Sequence, residues 1–179
     1  MFMIAIAAVS MCVMVGCGSK DGSKEQADVE QVAEEDDSDA KKAIVGLVNA
    51  VYDDINAVSA SSSKPNIDLI GKYCSKEFRE LVSKICEIDR NKPADEGFGM
   101  NNDLWSFYEP PFEVENIEVD VDGNEGSVCY QLRKGGEKVD MIYSVVCEDG
   151  EWRFSDCERI GMMAGSWVDR MTDYIEENQ

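Results

Sequence analysis

The chain opens with an apolar run. Residues 2 to 15 are almost wholly apolar, with Ser10 the clear exception, and the first 16 residues carry no charge. A permanent membrane helix needs about 20 apolar residues, so this run is too short to span a bilayer. Its length is typical of the apolar region of an export signal. We therefore expect residues 1 to 16 to be a signal peptide.

Helical periodicity appears in four later segments. Over residues 40 to 59, apolar side chains recur three and four positions apart, which predicts an amphipathic helix capped by Asp39. Residues 67 to 73 predict a short helical turn. Ser75 is placed to cap a second long helix, and a final helix is predicted from about 166 to 177.

From residue 112 the pattern switches to period two, which predicts four strands. We place the strands at about 112–122, 125–133, 138–147 and 151–157. They are separated by the two-residue hairpin signals Gly123-Asn124, Gly135-Gly136 and Asp149-Gly150. Pairing across these turns places large apolar residues of all four strands on one face of a single meander, and a slip of one residue would break that agreement.

The same register predicts the buried face in detail. The residues expected there are Val128, Tyr130, Tyr143, Val145, Trp152 and Phe154. The first strand changes parity near Glu115-Asn116, which predicts a β-bulge and a bent sheet. Asp156 is predicted to share the concave face, and Cys157 to lie opposite Ile142.

Together the elements predict an α+β domain over residues 40 to 179: two N-terminal helices on a bent four-stranded antiparallel meander, plus a C-terminal helix.

One irregular stretch, from residue 94 to 111, carries a large apolar load. Its bulky members are Phe98, Met100, Leu104, Trp105, Phe107 and Tyr108. Because exposed apolar surface is costly, this stretch must pack against other elements.

A short motif follows the signal. Met14-Val15-Gly16-Cys17 resembles the bacterial lipobox, normally Leu, a small residue, Gly or Ala, then Cys. Met14 stands where Leu is usual, and no Lys or Arg precedes the apolar run. The resemblance implies that Cys17 becomes the lipid-bearing N-terminus of a cell-envelope protein. The outer membrane is the expected site of the anchor, on its periplasmic or its surface-exposed side.

The composition limits the classes of partner that the protein can bind. The net charge is -20, so nucleic acid and anionic lipid are repelled. Residues 17 to 39 form an acidic stretch without aromatic residues, in which Val29 and Val32 are the large aliphatics. Such a segment buries too little apolar area to offset the cost of ordering, so we expect a disordered tether. An acidic binding tail is the alternative.

The available chemistry is limited. The chain has no histidine, which removes the commonest general base and metal ligand. We therefore predict no catalytic residue, no metal and no cofactor. Residues 118 to 123 mimic the start of a calcium loop, but Cys129 occupies the position that requires a bidentate acid. A strand with one solvent-exposed face accounts for the same alternation of acidic residues.

Five cysteines remain in the predicted domain: Cys74, Cys86, Cys129, Cys147 and Cys157. The register puts Cys129 and Cys157 about 10 Å apart on either side of one strand, too far for a disulfide. Cys86 and Cys147 are both expected to face the helix-sheet core and form the least implausible bridge. Five unpaired thiols are the alternative.

The order of elements, with the phrase from Val145 to Phe154 (Val-Val-Cys-Glu-Asp-Gly-Glu-Trp-Arg-Phe), resembles the cystatin-like, nuclear-transport-factor-2-like superfamily. More narrowly, it is similar to small domains of that kind on lipoproteins of Bacteroides-like bacteria. The resemblance covers about residues 40 to 160 and implies helices cradled by a curved sheet, often with a pocket between them. Steroid isomerases of the superfamily use an acidic base and a tyrosine-based oxyanion hole; here Asp156, Tyr130 and Tyr143 would be the counterparts, with core aromatics as the alternative. The superfamily serves many functions, so the fold alone does not select one.

These patterns favour a non-catalytic binding domain displayed on the envelope. Its ligand would be a small apolar molecule in the cradle or a protein on the other face of the sheet. The alternatives are an immunity or inhibitor protein against an envelope toxin or hydrolase, and an isomerase-like enzyme using cradle acids. For a cradle ligand, Trp105 and Tyr108 are expected at the opening and Tyr130 and Tyr143 on the floor. The alternative is that Trp105 and Tyr108 plug the end of the core.

Overall fold

The structure is a computed structural model of the 179-residue chain. It describes residues 25–60, 68–93, 96–98, 104–105, 110–159 and 165–179, with side chains from residue 37 onward except that of Arg159. The predictions for the signal peptide, for Cys17 and for Tyr108 lie outside these residues.

The described residues form four helices and one five-stranded antiparallel sheet, an α+β arrangement. In chain order the elements are α1 (Glu25–Ala60), α2 (Leu69–Tyr73), α3 (Lys76–Asp89), β1 (Glu113–Asp122), β2 (Glu125–Lys134), β3 (Glu137–Glu148), β4 (Glu151–Arg159), β5 (Gly165–Ser166) and α4 (Trp167–Glu177). The strands lie in the order β1-β2-β3-β4-β5. The meander is confirmed, but the prediction of four strands was too low by one. The missing strand has two residues, too short to show a period-two pattern.

The predicted hairpin register is confirmed near each turn. Val128 pairs with Tyr143 in β2 and β3, and Val145 pairs with Phe154 in β3 and β4. The bulge predicted in β1 is also present, as a register shift between Glu115 and Glu118. Asn116 lies within that shift and has a φ of 54°.

A second bulge in β4 corrects two predictions. Val145 pairs with Phe154 and Ser144 with Asp156, so Ser155 is an extra residue on β4. Cys157 therefore lies opposite Tyr143 and is buried, rather than opposite Ile142. Asp156 moves off the core-facing side, where we had placed it. The residues at the bulge are polar and give no break in an apolar alternation, so the pattern could not reveal the extra residue.

The first helix is longer than predicted. Glu25–Ala60 is helical throughout, so residues 25 to 39 have helical backbone where we expected a disordered tether. A segment that buries little apolar area can still have helical backbone, because Glu, Gln and Ala in this segment are good helix formers without burial. The predicted apolar face lies against the sheet, where Ile44, Val48 and Val51 are buried, and Tyr52, which was not predicted there, is buried beside them.

The remaining helices begin at side-chain caps. Asp68 accepts a hydrogen bond from the Gly71 N–H, Ser75 from the Phe78 N–H and Ser166 from the Asp169 N–H. These caps satisfy N–H groups that the first helical turn leaves without partners. The caps at Ser75 and Ser166 agree with the predicted helix starts. α3 and α4 pack against each other, and both contact β4.

One core joins the helices to the inner face of the sheet. Of the six strand residues predicted to be buried there, Val128, Tyr130, Tyr143, Val145 and Phe154 are at most 2 % exposed. Trp152 is half-buried, because it pairs with Cys147 close to the last hairpin turn. Within the described part of the chain, no helix is both long and apolar enough to cross a membrane.

Candidate functional site

Three of the four predicted ligand-binding residues come together in the core. Tyr130 of β2 and Tyr143 of β3 are diagonal neighbours on the inner face, and their rings stack with centroids 5.8 Å apart and planes at 4°. The ring of Trp105 lies nearly parallel to Tyr143, 6.0 Å away at 17°. The three rings therefore form a continuous stack. Trp105 is 7 % exposed, Tyr130 2 % and Tyr143 1 %.

Three further rings close this stack. Phe154 meets the edge of Trp105 at 5.6 Å and lies 4.8 Å from Tyr143. At the other end Tyr52 of α1 packs edge-on against Tyr130 at 5.6 Å and against Phe112 at 6.2 Å. We call these six residues the aromatic cluster: Tyr52, Trp105, Phe112, Tyr130, Tyr143 and Phe154. Edge-on and offset contacts of this kind are favourable for aromatic rings, so the cluster is a packed unit.

The hydroxyl groups of the cluster hold the irregular backbone at residues 104 and 105. The Tyr52 hydroxyl donates to the Trp105 carbonyl at 2.7 Å and also lies 2.9 Å from the Tyr130 hydroxyl. Tyr143 donates to the Leu104 carbonyl, and the Cys157 thiol lies 3.8 Å from the same oxygen. Because a buried carbonyl without a partner is costly, these side chains allow a non-regular segment to enter the core.

Burial governs the ionisation of the two stacked tyrosines. It is the largest cause that raises the pKa of Tyr130 and of Tyr143 well above 10, and neighbouring tyrosine hydroxyls add to it. Both are therefore neutral phenols at any physiological pH. A neutral phenol can donate one hydrogen bond, and the proton of Tyr143 is already donated to Leu104.

The acid predicted to accompany these phenols lies elsewhere. Asp156 pairs with Ser144 on the other side of the sheet. One carboxylate oxygen accepts hydrogen bonds from the Cys157 N–H at 2.7 Å and the Val168 N–H at 3.1 Å. Its role is therefore to join β4 to the start of α4. The structure does not assemble the acid and tyrosines that an isomerase-like site would need.

Two hollows lined by described residues lie away from the aromatic cluster. One, of about 580 Å³, is an open depression on α1 beside Lys41 and Val45. The other, of about 300 Å³, lies between α3 and α4 beside Ile88 and Ile175. Among the residues whose positions are described, no group of acidic and cysteine side chains is arranged to hold a metal ion.

The cysteines are not arranged as the bridge hypothesis requires. Cys86 is exposed on α3 and Cys147 is half-buried, and all five domain cysteines are free thiols. Cys86 was wrongly placed towards the core. It directly follows the buried Ile85, and the helical turn carries it to the solvent side.

Sequence reasoning missed two members of the site. Tyr52 lies four residues after Val48, on the helical stripe already identified, so its spacing could have revealed it. Cys157 reaches the core through the β4 bulge, for which the sequence offers no signal. Comparison with protein-family models found no match for the chain, and no curated protein sequence is significantly similar to it.

Proposed function

We propose that the protein is an envelope lipoprotein, anchored through Cys17, that presents a non-catalytic binding domain to a protein partner. The anchor is supported by the short apolar run and by the lipobox-like Met14-Val15-Gly16-Cys17. Nucleic acid is an unfavourable partner for a chain with a net charge of -20.

The observation that carries the choice of partner is the packing of the aromatic cluster. Its rings contact one another, and the hydroxyls of Tyr52 and Tyr143 donate to backbone carbonyls. These groups stabilise the domain and have little left with which to bind a small apolar ligand. Recognition then falls to the outer surfaces, which favours a protein over a cradle ligand.

The finer fold assignment belongs to the same proposal. Helix α1 packs across an antiparallel meander with a bulge in β1, as expected for a cystatin-like, nuclear-transport-factor-2-like domain. The superfamily contains many interaction modules, in agreement with a binding role.

An immunity or inhibitor function is the second candidate. The observation that favours it is the strong acidity, since a net charge of -20 accelerates association with a basic toxin or hydrolase. It is a special case of the binding role and differs only in what the partner does.

Lipid anchoring at Cys17 is tested with two cysteine variants, of which only one is expected to lose the lipid. We expect Cys17→Ser to lose incorporation of labelled palmitate and to leave the membrane fraction, because the acceptor thiol is gone. Cys12→Ser is the matched control, since Cys12 lies in the segment removed with the signal. A Cys17→Ser protein that still takes up label and sediments with membranes would contradict the lipoprotein assignment.

The binding role is tested by photo-crosslinking in intact cells. Benzoylphenylalanine is placed singly at four sites: Ser83 on α3, Asn124 in the first hairpin, Ser144 on the outer side of the sheet and Asp173 on α4. A discrete adduct to another protein from at least one site is the expected result. If none of the four sites gives an adduct, the binding role is excluded.

A further inference from the structure

The outer face of the sheet, opposite the core, has a regular charge pattern. One row across four strands pairs Glu118 with Cys129, Cys129 with Ile142, and Ile142 with Glu158. The next row pairs Asp120 with Ser127, Ser127 with Ser144, and Ser144 with Asp156. Each row therefore reads acid, neutral, neutral, acid. The two acidic margins lie about 14 Å apart, three strand spacings of about 4.8 Å.

The negative charge of the margins has little compensation from the side chains that the structure describes. Glu118, Asp120 and Glu158 are exposed. Among the side chains that the structure describes, no Lys or Arg lies within ion-pair distance of these three. The Asp156 carboxylate is occupied by two backbone N–H groups, so its margin relies mainly on Glu158.

The cations on the same face are already paired farther along it. Arg133 lies 2.7 Å from Glu115, and Lys138 lies 3.2 Å from Glu115. Arg133 also pairs with Glu113. Lys138 and Arg133 lower the pKa of Glu115, which keeps its carboxylate ionised and preserves the ion pairs with both cations. The bulge end of the face is therefore partly neutralised. The acidity continues beyond the two rows towards the first hairpin, where Asp122 and Glu125 are exposed on the same face.

The neutral centre lies under the influence of both margins. Cys129 and Ile142 are half-buried by their neighbours and retain some exposure. Burial raises the pKa of the Cys129 thiol, and Glu118 and Glu158, one on each margin, raise it further. The negative potential thus extends over the apolar centre from both sides.

The negative charge of this face limits the classes of molecule that can bind to it. A second copy of the chain would bring the same acids against it, and nucleic acid or anionic lipid would be repelled as well. The area is compatible with a protein contact: ten residues along and four strands across give about 650 Å², close to the roughly 800 Å² that each partner buries in a standard interface.

We propose that this outer face binds a protein whose contact surface has an apolar centre between two rows of Lys or Arg about 14 Å apart. The inference rests on the proposed binding role and names the surface and the partner's chemistry. Ile142 and Cys129 supply the apolar contact, while Glu118, Asp120 and Glu158 supply charge at the rim. Rim charges chiefly accelerate association and exclude acidic competitors.

The test uses the full-length lipoprotein in cells, with benzoylphenylalanine at Ser144 as the probe and at Ser83 on α3 as the comparison site. We expect an adduct from Ser144 and none from Ser83. Mass spectrometry of the crosslinked peptide should place Lys or Arg on both sides of an apolar residue. A peptide from this chain itself, or an acidic peptide, would overturn the proposal.

Charge neutralisation provides the second measurement. The double variant Glu118→Gln/Glu158→Gln should reduce the Ser144 adduct at least about fivefold, since it removes two rim ion pairs. Glu176→Gln/Glu177→Gln, on the exposed end of α4, changes the net charge equally and should leave the adduct unchanged. Equal effects of the two double variants would show that overall charge, rather than this face, controls binding, and would overturn the proposal.

The crosslinking results separate this inference from the proposed function. Adducts from Ser83 or Asp173 but not from Ser144 would preserve the binding role and overturn the assignment to the outer face. An adduct from Ser144, together with a Cys17→Ser protein that still takes up label and sediments with membranes, would preserve the face and contradict the anchor.

Discussion

Removal of the Trp105 ring tests whether the aromatic cluster is structural. In Trp105→Ala, the indole ring is removed, which leaves a cavity beside Tyr143 and Phe154. The centroids of these two rings lie 6.0 and 5.6 Å from the centroid of the Trp105 ring. The backbone carbonyl that Tyr52 binds remains, so the change isolates the contribution of the ring.

The expected cost follows from the burial of Trp105, which is 7 % exposed. A buried aromatic side chain covers about 200 Å², and at about 25 cal/mol per Å² this gives an upper value near 5 kcal/mol. Large-to-small changes in cores usually cost about 3–5 kcal/mol because the cavity collapses only partly. We therefore expect Trp105→Ala to lower the free energy of unfolding by about 3–5 kcal/mol and Tm by about 10–15 °C.

Urea unfolding of the purified protein, followed by circular dichroism, measures this loss. Trp152→Ala is the matched control: Trp152 is half-buried at the end of the sheet, so about 1–2 kcal/mol is expected. A loss below about 1 kcal/mol for Trp105→Ala, with an unchanged denaturant slope, would refute the structural assignment. Loss of ligand capture from an envelope extract at unchanged stability would instead identify Trp105 as a ligand-binding residue.

Two further predictions concern ionisable groups. Hydrogen bonds from Lys72 and Tyr73 hold the pKa of Asp54 below its usual 3.8, so its stabilisation is present above that pH and is lost as the pH falls through the lower folded-state value. Urea unfolding should therefore show a difference between wild type and Asp54→Asn that is full at about pH 6 and shrinks below about pH 3.8; a constant difference down to about pH 2 would contradict this. Burial raises the pKa of the Cys74 thiol to about 12, whereas Cys86 is exposed, so iodoacetamide at about pH 8 should alkylate Cys86 first and Cys74 only on unfolding. Mass spectrometry of timed samples checks this order, Cys86→Ser should remove the fast phase, and early labelling of Cys74 would refute it.

The parts of the fold predicted from sequence are those fixed by local signals. Glycine-containing turns set each hairpin register at its closed end, and Ser75 and Ser166 marked two helix starts. The β1 bulge was predictable because it lies between apolar residues whose parity changes. The β4 bulge was not, because Ser155 and Asp156 are both polar and either could face outward.

The candidate site was predictable only in part, for a similar reason. Strand alternation placed Tyr130 and Tyr143 on one face, and the apolar load of the irregular stretch indicated that Trp105 must pack. The closeness of Trp105 to Tyr143 depends on long-range contacts between an irregular segment and the sheet. No periodicity encodes such contacts, so the extent to which these rings occupy the core became visible only in three dimensions.

The length of α1 has a mechanical consequence for presentation of the domain. The helix runs 36 residues, about 54 Å at 1.5 Å per residue, and among its side chains described from residue 37 onward the buried face begins at Ile44. A helix that is continuous from Glu25 into the core acts as a lever arm with a fixed angular setting. Each residue inserted ahead of Ile44 would raise the domain by about 1.5 Å and turn it by about 100°, whereas seven residues would raise it by about 10 Å and restore nearly the same orientation. The spacing of residues along α1 therefore sets the height and the rotational setting of the sheet relative to the first turn of this helix.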